Sequence, residues 1–90
     1  MNVIIIEDEK PAARRLGRLL SDLAVEVSTM LHSVEESIAW FQNNEHPDLI
    51  FLDIQLSDGL SFEIFDVLEV KSAIISVSYT HLTLPTILLV

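Results

Sequence analysis

The chain has 90 residues, half of them hydrophobic, with 14 acidic residues against 5 basic ones and a formal net charge of -9. That length allows one small domain with a real core, modestly stabilised because so much of its surface stays wet. The charge argues against a nucleic-acid-binding module, which needs a basic footprint to neutralise phosphates, and the lack of cysteine excludes disulfides and thiolate metal sites.

No targeting or membrane segment is expected. The opening apolar run Val3-Ile4-Ile5-Ile6 is too short for a signal peptide and runs directly into Glu7-Asp8-Glu9. No stretch approaches the ~20 apolar residues of a membrane span. A cytoplasmic protein fits these features. Lys10, Arg14, Arg15 and Arg18 cluster on one face of one helix, which reads as a solvated face.

In chain order, Asn2 to Ile6 is β-branched and apolar without alternation, the pattern of a strand buried on both faces of a parallel sheet. Pro11 suits the first turn of a helix, where its missing N–H costs nothing. Ala13, Leu16, Leu20 and Leu23 then recur with helical period as a buried stripe, and Gly17 weakens that helix slightly. Val25 to Leu31 alternates as a second strand. Ser33 with Glu36 forms a capping box opening a second helix, whose stripe is Val34, Ile38 and Phe41 and which ends at Asn43-Asn44. Pro47 breaks the chain.

Leu49-Ile50-Phe51-Leu52 is a third buried strand ending at Asp53. Ile54 to Gly59 is expected as a loop, with Ser57-Asp58-Gly59 as turn chemistry. A third helix carries Leu60, Ile64, Phe65 and Leu68, and Ala73 to Val77 is a fourth strand. Strands alternating with helices predict an α/β fold, a doubly wound parallel sheet.

Two acidic positions carry the chemistry. Glu7-Asp8 follows the first strand and Asp53 ends the third. In a doubly wound sheet, sites form beyond the carboxyl ends of strands where the strand order reverses, so Glu7, Asp8 and Asp53 should converge. Carboxylates so close repel each other, and without a partner at least one holds its proton. A hard divalent cation such as Mg²⁺, which takes oxygen ligands, resolves the conflict. An aspartate beside it can act as a nucleophile toward phosphorus. Acidic residues at strand ends also serve as helix caps or solvated turns, and it is the joint placement at two adjacent strand ends that favours a site. His32, His46 and His81 lack metal-ligand spacing and read as surface or loop residues. Trp40 reads as partial core, and Ser76 and Ser78 lack partners for nucleophilic catalysis.

The segments Ile4-Ile5-Ile6-Glu7-Asp8-Glu9 and Pro47-Asp48-Leu49-Ile50-Phe51-Leu52-Asp53-Ile54-Gln55-Leu56-Ser57-Asp58-Gly59 resemble the two acidic motifs of bacterial two-component response-regulator receiver domains. The wording is most like regulators with a LytTR-type DNA-binding output domain. The resemblance covers residues 1 to about 75. It implies a flavodoxin-like sheet of order 2-1-3-4-5, with Asp53 as phosphoacceptor. It further implies that Asp8 is a direct Mg²⁺ ligand, that Glu7 acts on the ion through water, and that the backbone carbonyl of Gln55 is a further ligand. It implies a sensor histidine kinase as partner, DNA contact only through an output domain absent from this chain, and compatibility with a homodimer of the intact protein.

The family's fifth strand bears a lysine that contacts the phosphoryl group, and the last lysine here is Lys71. The chain is therefore expected to be truncated after the fourth strand. Residues 1–75 would form a partial receiver, and residues 76–90 a non-native tail. Val77 to Thr86 resembles one translated frame of a transposase sequencing adapter. The family places a switch Ser or Thr where Ser78 falls. Without a fifth helix, part of the sheet face over strands one, three and four is expected to be bare. Two other readings stay open: a pseudo-receiver used only for protein contact, and an aspartyl phosphatase of the haloacid-dehalogenase type. The latter usually needs a second aspartate where Gln55 stands. The leading reading is a signalling module rather than an enzyme acting on an external substrate.

Overall fold

The computed structural model describes residues 1–76 in full and the backbone of residues 77–79 and 85–89. His81 lies outside the described residues. Strand β1 is Val3–Ile6, helix α1 Lys10–Asp22, strand β2 Val27–Leu31, helix α2 Val34–Asn43 and strand β3 Leu49–Asp53. Two short strands follow, β4 Gln55–Leu56 and β5 Gly59–Leu60, then helix α3 Phe62–Val67 and strands β6 Ala73–Tyr79 and β7 Pro85–Leu89.

The main sheet has the order β2-β1-β3-β6-β7. The first four strands are parallel, which gives the expected flavodoxin-like order for the strands counted as two, one, three and four. The fifth place differs from the family's parallel strand, because β7 pairs antiparallel with β6. Chain length explains this. A parallel neighbour needs a crossover of a dozen or more residues, whereas only residues 80 to 84 separate Tyr79 from Pro85.

Every residue of β1 is buried, and its alternate side chains serve two cores because successive residues of a strand point to opposite faces. Ile4 and Ile6 pack with Ile50 and Leu52 of β3, Val34 and Phe41 of α2, and Ile64 of α3. Val3 and Ile5 pack with Phe51 and with Ala13, Leu16 and Leu20 of α1. Helices thus lie on both faces. The expectation of a bare face over the first and third strands is not met, since Ile5 and Phe51 are buried in the cluster that α1 joins. Ile75 on β6 stays half-buried.

Several boundaries differ from the sequence reading. Leu23 is not in the α1 stripe: it caps the helix and is 73% exposed. Strand β2 begins at Val27, after a turn in which Ala24 takes φ 63°. The expected loop Ile54 to Gly59 contains a two-stranded antiparallel hairpin, pairing Gln55 with Leu60 and Leu56 with Gly59. Leu60 belongs to that hairpin rather than to the third helix. The hairpin base is closed by Ser61, whose backbone N–H and hydroxyl both donate to the carbonyl of Ile54.

Trp40 is half-buried against the α2 side of the core, as expected. Lys10, Arg14, Arg15 and Arg18 are all exposed along α1. Among the described residues, no helix is long and apolar enough to cross a membrane.

Candidate functional site

The parallel register sets Ile6 beside Leu52. The next residues, Glu7 and Asp53, therefore leave neighbouring strands at the same carboxyl edge. β1 is flanked by β2 on one side and β3 on the other, so the chain reverses its winding there, the place where α/β sheets open a crevice. One carboxylate oxygen from each of Glu7, Asp8 and Asp53 lies within 4.8 Å of the others. They line an open pocket of about 600 Å³ whose wall also includes Glu9, Gln55 and Ser57.

Glu7 is only 3% exposed, and its Oε2 has no hydrogen-bond partner. Burial, then the hydrogen bond and charge of Asp53, then the charges of Asp8 and Glu9 push its carboxyl up to about 9. At neutral pH it keeps its proton unless a cation neutralises the cluster. Asp8 and Asp53 are half-buried. The Oδ1 of Asp53 accepts from the backbone N–H of Gln55 at 3.4 Å. An orphaned buried carboxyl oxygen beside two further carboxylates is a donor set suited to a hard cation, and the residues fit Mg²⁺.

Ser78 follows Val77, which pairs with Asp53. Its backbone lies at the same strand edge, while its side chain lies outside the described residues.

Two residues near the site escaped the sequence reading. His32 is half-buried, and its Nδ1 lies 2.9 Å from the carbonyl oxygen of Glu7, for which it is a donor. It lies in the loop between β2 and α2, as expected, and outside the carboxylate cluster, but it neighbours the site. Asp58 has turned its carboxylate onto the start of α2. Oδ1 accepts from Val34 N–H at 2.8 Å and Oδ2 from Glu35 N–H at 3.1 Å. These bonds hold the Asp58 carboxyl below the usual aspartate range. Ser33 Oγ accepts from Glu36 N–H, as a capping box requires. The reciprocal bond has shifted by one residue, with Glu36 accepting from His32 N–H.

No family model matches the chain. It is 37% identical over 70 residues to the sensory transduction protein LytT of Bacillus anthracis, covering 77% of this chain and 28% of that protein. It is 36% identical to LytT of Bacillus cereus with the same coverage. The chain thus spans little more than a quarter of the curated relatives that it matches.

Among solved structures, it is similar to the PhyR response-regulator REC domain of Erythrobacter litoralis, with TM-score 0.60, 28% identity, and coverage of 83% of this chain and 61% of that one. It is also similar to the anti-anti-sigma factor PhyR of Bartonella quintana in complex with the anti-sigma factor NepR, with TM-score 0.76 and 26% identity over 99% of this chain and 40% of that one. A CheY-like receiver domain of Methylobacillus flagellatus shares the fold at TM-score 0.73 and 21% identity, covering 93% and 74%. In sequence relatives, strand order and structural neighbours alike, the chain is similar to response-regulator receiver domains, with LytT proteins among its relatives.

Proposed function

We propose that Asp53 accepts a phosphoryl group from a sensor histidine kinase with the help of Mg²⁺, and that the modification controls an output domain outside this chain, with transcription as the output. The observation that carries this reading is the convergence of Glu7, Asp8 and Asp53 at the carboxyl ends of β1 and β3. Asp8 would bind the ion directly and Glu7 through water. The Asp53 carboxylate and the backbone carbonyl of Gln55 would complete the protein ligands. When bound, the cation neutralises the clustered carboxylates and the incoming phosphoryl oxygens.

In the transfer, a carboxylate oxygen of Asp53 attacks phosphorus. A P–O bond forms, the P–N bond of the donor phosphohistidine breaks, and the electron pair leaves on the imidazole nitrogen. The contact of Gln55 N–H with Oδ1 orients the Asp53 carboxylate, and the open pocket admits the donor. A haloacid-dehalogenase-type phosphatase is disfavoured, because Gln55 offers no acid or base two residues after Asp53. A pseudo-receiver role would leave this acidic cluster without a task.

The test is labelling by a small acyl phosphate in the presence of Mg²⁺, read by intact mass. The intact parent protein is expected to gain one phosphoryl group, and its Asp53→Asn variant none. Equal labelling of both would remove Asp53 from the reaction.

A further inference from the structure

The two walls of the acidic pocket come from segments far apart in sequence, and residues 31–35, running from the end of β2 into the start of α2, touch both. One wall is the strand end Glu7-Asp8. Its backbone is held by Glu7 N–H donating to Leu31 carbonyl at 2.8 Å and by the His32 ring at the Glu7 carbonyl. The other wall is the β4–β5 hairpin with Gln55 and Ser57. Its base is closed by Ser61 on Ile54, and its tip is held by the two bonds from Asp58 to Val34 and Glu35. His32, Ser33 and Val34 are consecutive, so both walls are fastened to one short piece of backbone.

We propose that Asp58 is a positioning residue for the acidic pocket, fixing the distance between the Gln55-bearing hairpin and the Glu7-Asp8 strand end through residues 31–35, where β2 runs into α2. The inference rests on the Mg²⁺ reading above and adds a residue that touches neither ion nor phosphoryl group. A helix start presents free N–H groups in a fixed array, so a bidentate carboxylate on it sets both position and orientation of the hairpin tip. Ser33 caps the same helix through Glu36 N–H, and among the described residues its hydroxyl makes no hydrogen bond to the hairpin. It therefore separates helix capping from wall positioning.

The test compares Asp58→Ala, Asp58→Asn and Ser33→Ala in the full chain by calorimetric titration with Mg²⁺ and by thermal unfolding. Asp58→Ala is expected to raise the half-saturating Mg²⁺ concentration about tenfold, the scale on which residues that orient metal ligands act. Asp58→Asn, which keeps one acceptor oxygen for one of the two N–H groups, is expected to fall between it and the wild type. Ser33→Ala is expected to lower the melting temperature while leaving the Mg²⁺ midpoint unchanged. An unchanged midpoint in Asp58→Ala, or an equal shift in Ser33→Ala, would overturn the proposal. If Asp58→Ala does not fold, Asp58→Asn against Ser33→Ala decides it by the same criterion. No Mg²⁺ binding by the wild type would overturn the metal reading and this proposal together. Binding that is lost in Asp8→Ala but indifferent to Asp58 would overturn this proposal alone.

Discussion

Asp58 and Val34, 24 residues apart, are joined by a 2.8 Å hydrogen bond from the Val34 N–H to the Asp58 carboxylate. With the companion bond to Glu35 and the Ser33 hydroxyl on Glu36, the first three N–H groups of α2 all have side-chain acceptors. Those are the groups that a helix leaves unpaired at its start. The Asp58 charge also lies at the positive end of the helix dipole.

A pH-dependent stability follows. The folded Asp58 carboxyl titrates below its ordinary value because it accepts from Val34 and Glu35. A group with a lowered folded pKa contributes stability that is fully present above its unfolded pKa, ~3.9 for aspartate, and is lost as pH falls through the lower folded value. Asp58→Ala should therefore cost about 1 kcal/mol near neutral pH, the scale of a lost N-terminal cap. The gap to the wild type should narrow as pH drops below the ordinary aspartate range. Urea unfolding of both proteins at neutral and acid pH measures this, and a constant gap would mean that the carboxylate charge is irrelevant.

For the metal, the two acids of the first strand end should differ. Asp8→Ala removes a direct ligand and should weaken Mg²⁺ binding severely. Glu7→Gln, whose contact is expected to run through water, should weaken it less. Calorimetric titration giving the reverse order would exchange the two roles.

The glycines offer a contrast. Gly59 takes φ 148°, and a Cβ there would come within 2.7 Å of the Glu63 carboxylate. Gly59→Ala should cost more than 1 kcal/mol, because the backbone itself would be strained. Gly17 is helical, and an added Cβ meets the flexible end of Met30, at 2.7 Å from Cε, and lies in ordinary contact with Ile5 Cδ1 at 3.9 Å. Glycine costs a helix about 1 kcal/mol relative to alanine, so Gly17→Ala should be near neutral or stabilising. Parallel thermal melts decide between these signs.

Much of this arrangement was legible in the chain. The apolar runs Val3 to Ile6 and Leu49 to Leu52 announce strands buried on both faces, and acids directly after both runs announce the pocket. The Asp58 contact was not legible, because it depends on how the hairpin tip approaches α2, and a Ser-Asp-Gly turn reads the same whether its carboxylate faces water or a helix. His32 was missed for a similar reason: its ring contacts a backbone carbonyl on another strand, which leaves no trace in residue spacing. The antiparallel β7 depends on the short connection, which a family strand order does not foretell. Leu23 fits the helical period but falls just past the helix end, where the turn at Ala24 takes it off the buried face.

That turn carries the last prediction. The N–H of Ala24 donates to the Ser21 carbonyl and that of Val25 to the Leu20 carbonyl. This is the paired bonding with which helices often end, and it requires a left-handed residue that is usually glycine. Ala24 holds the position at φ 63°, a conformation that costs a residue with a Cβ roughly 1 kcal/mol or more. The surrounding bonds fix the conformation, and Val25 packs beside Leu20 in the α1 core. Ala24→Gly should relieve the strain but loosen the unfolded chain, for a net gain of about 0.5–1 kcal/mol. For a chain of this size, that raises the melting temperature by about 2–8 °C. Ala24→Val should move it the other way, since a β-branched residue tolerates the left-handed region least. Leu23→Ala at the neighbouring exposed position should change little, whereas Leu20→Ala, at 6% exposure, should cost about 2–5 kcal/mol. Melting curves of these four variants test the helix end directly, and a fall in stability for Ala24→Gly would show that the left-handed turn is not where α1 stops.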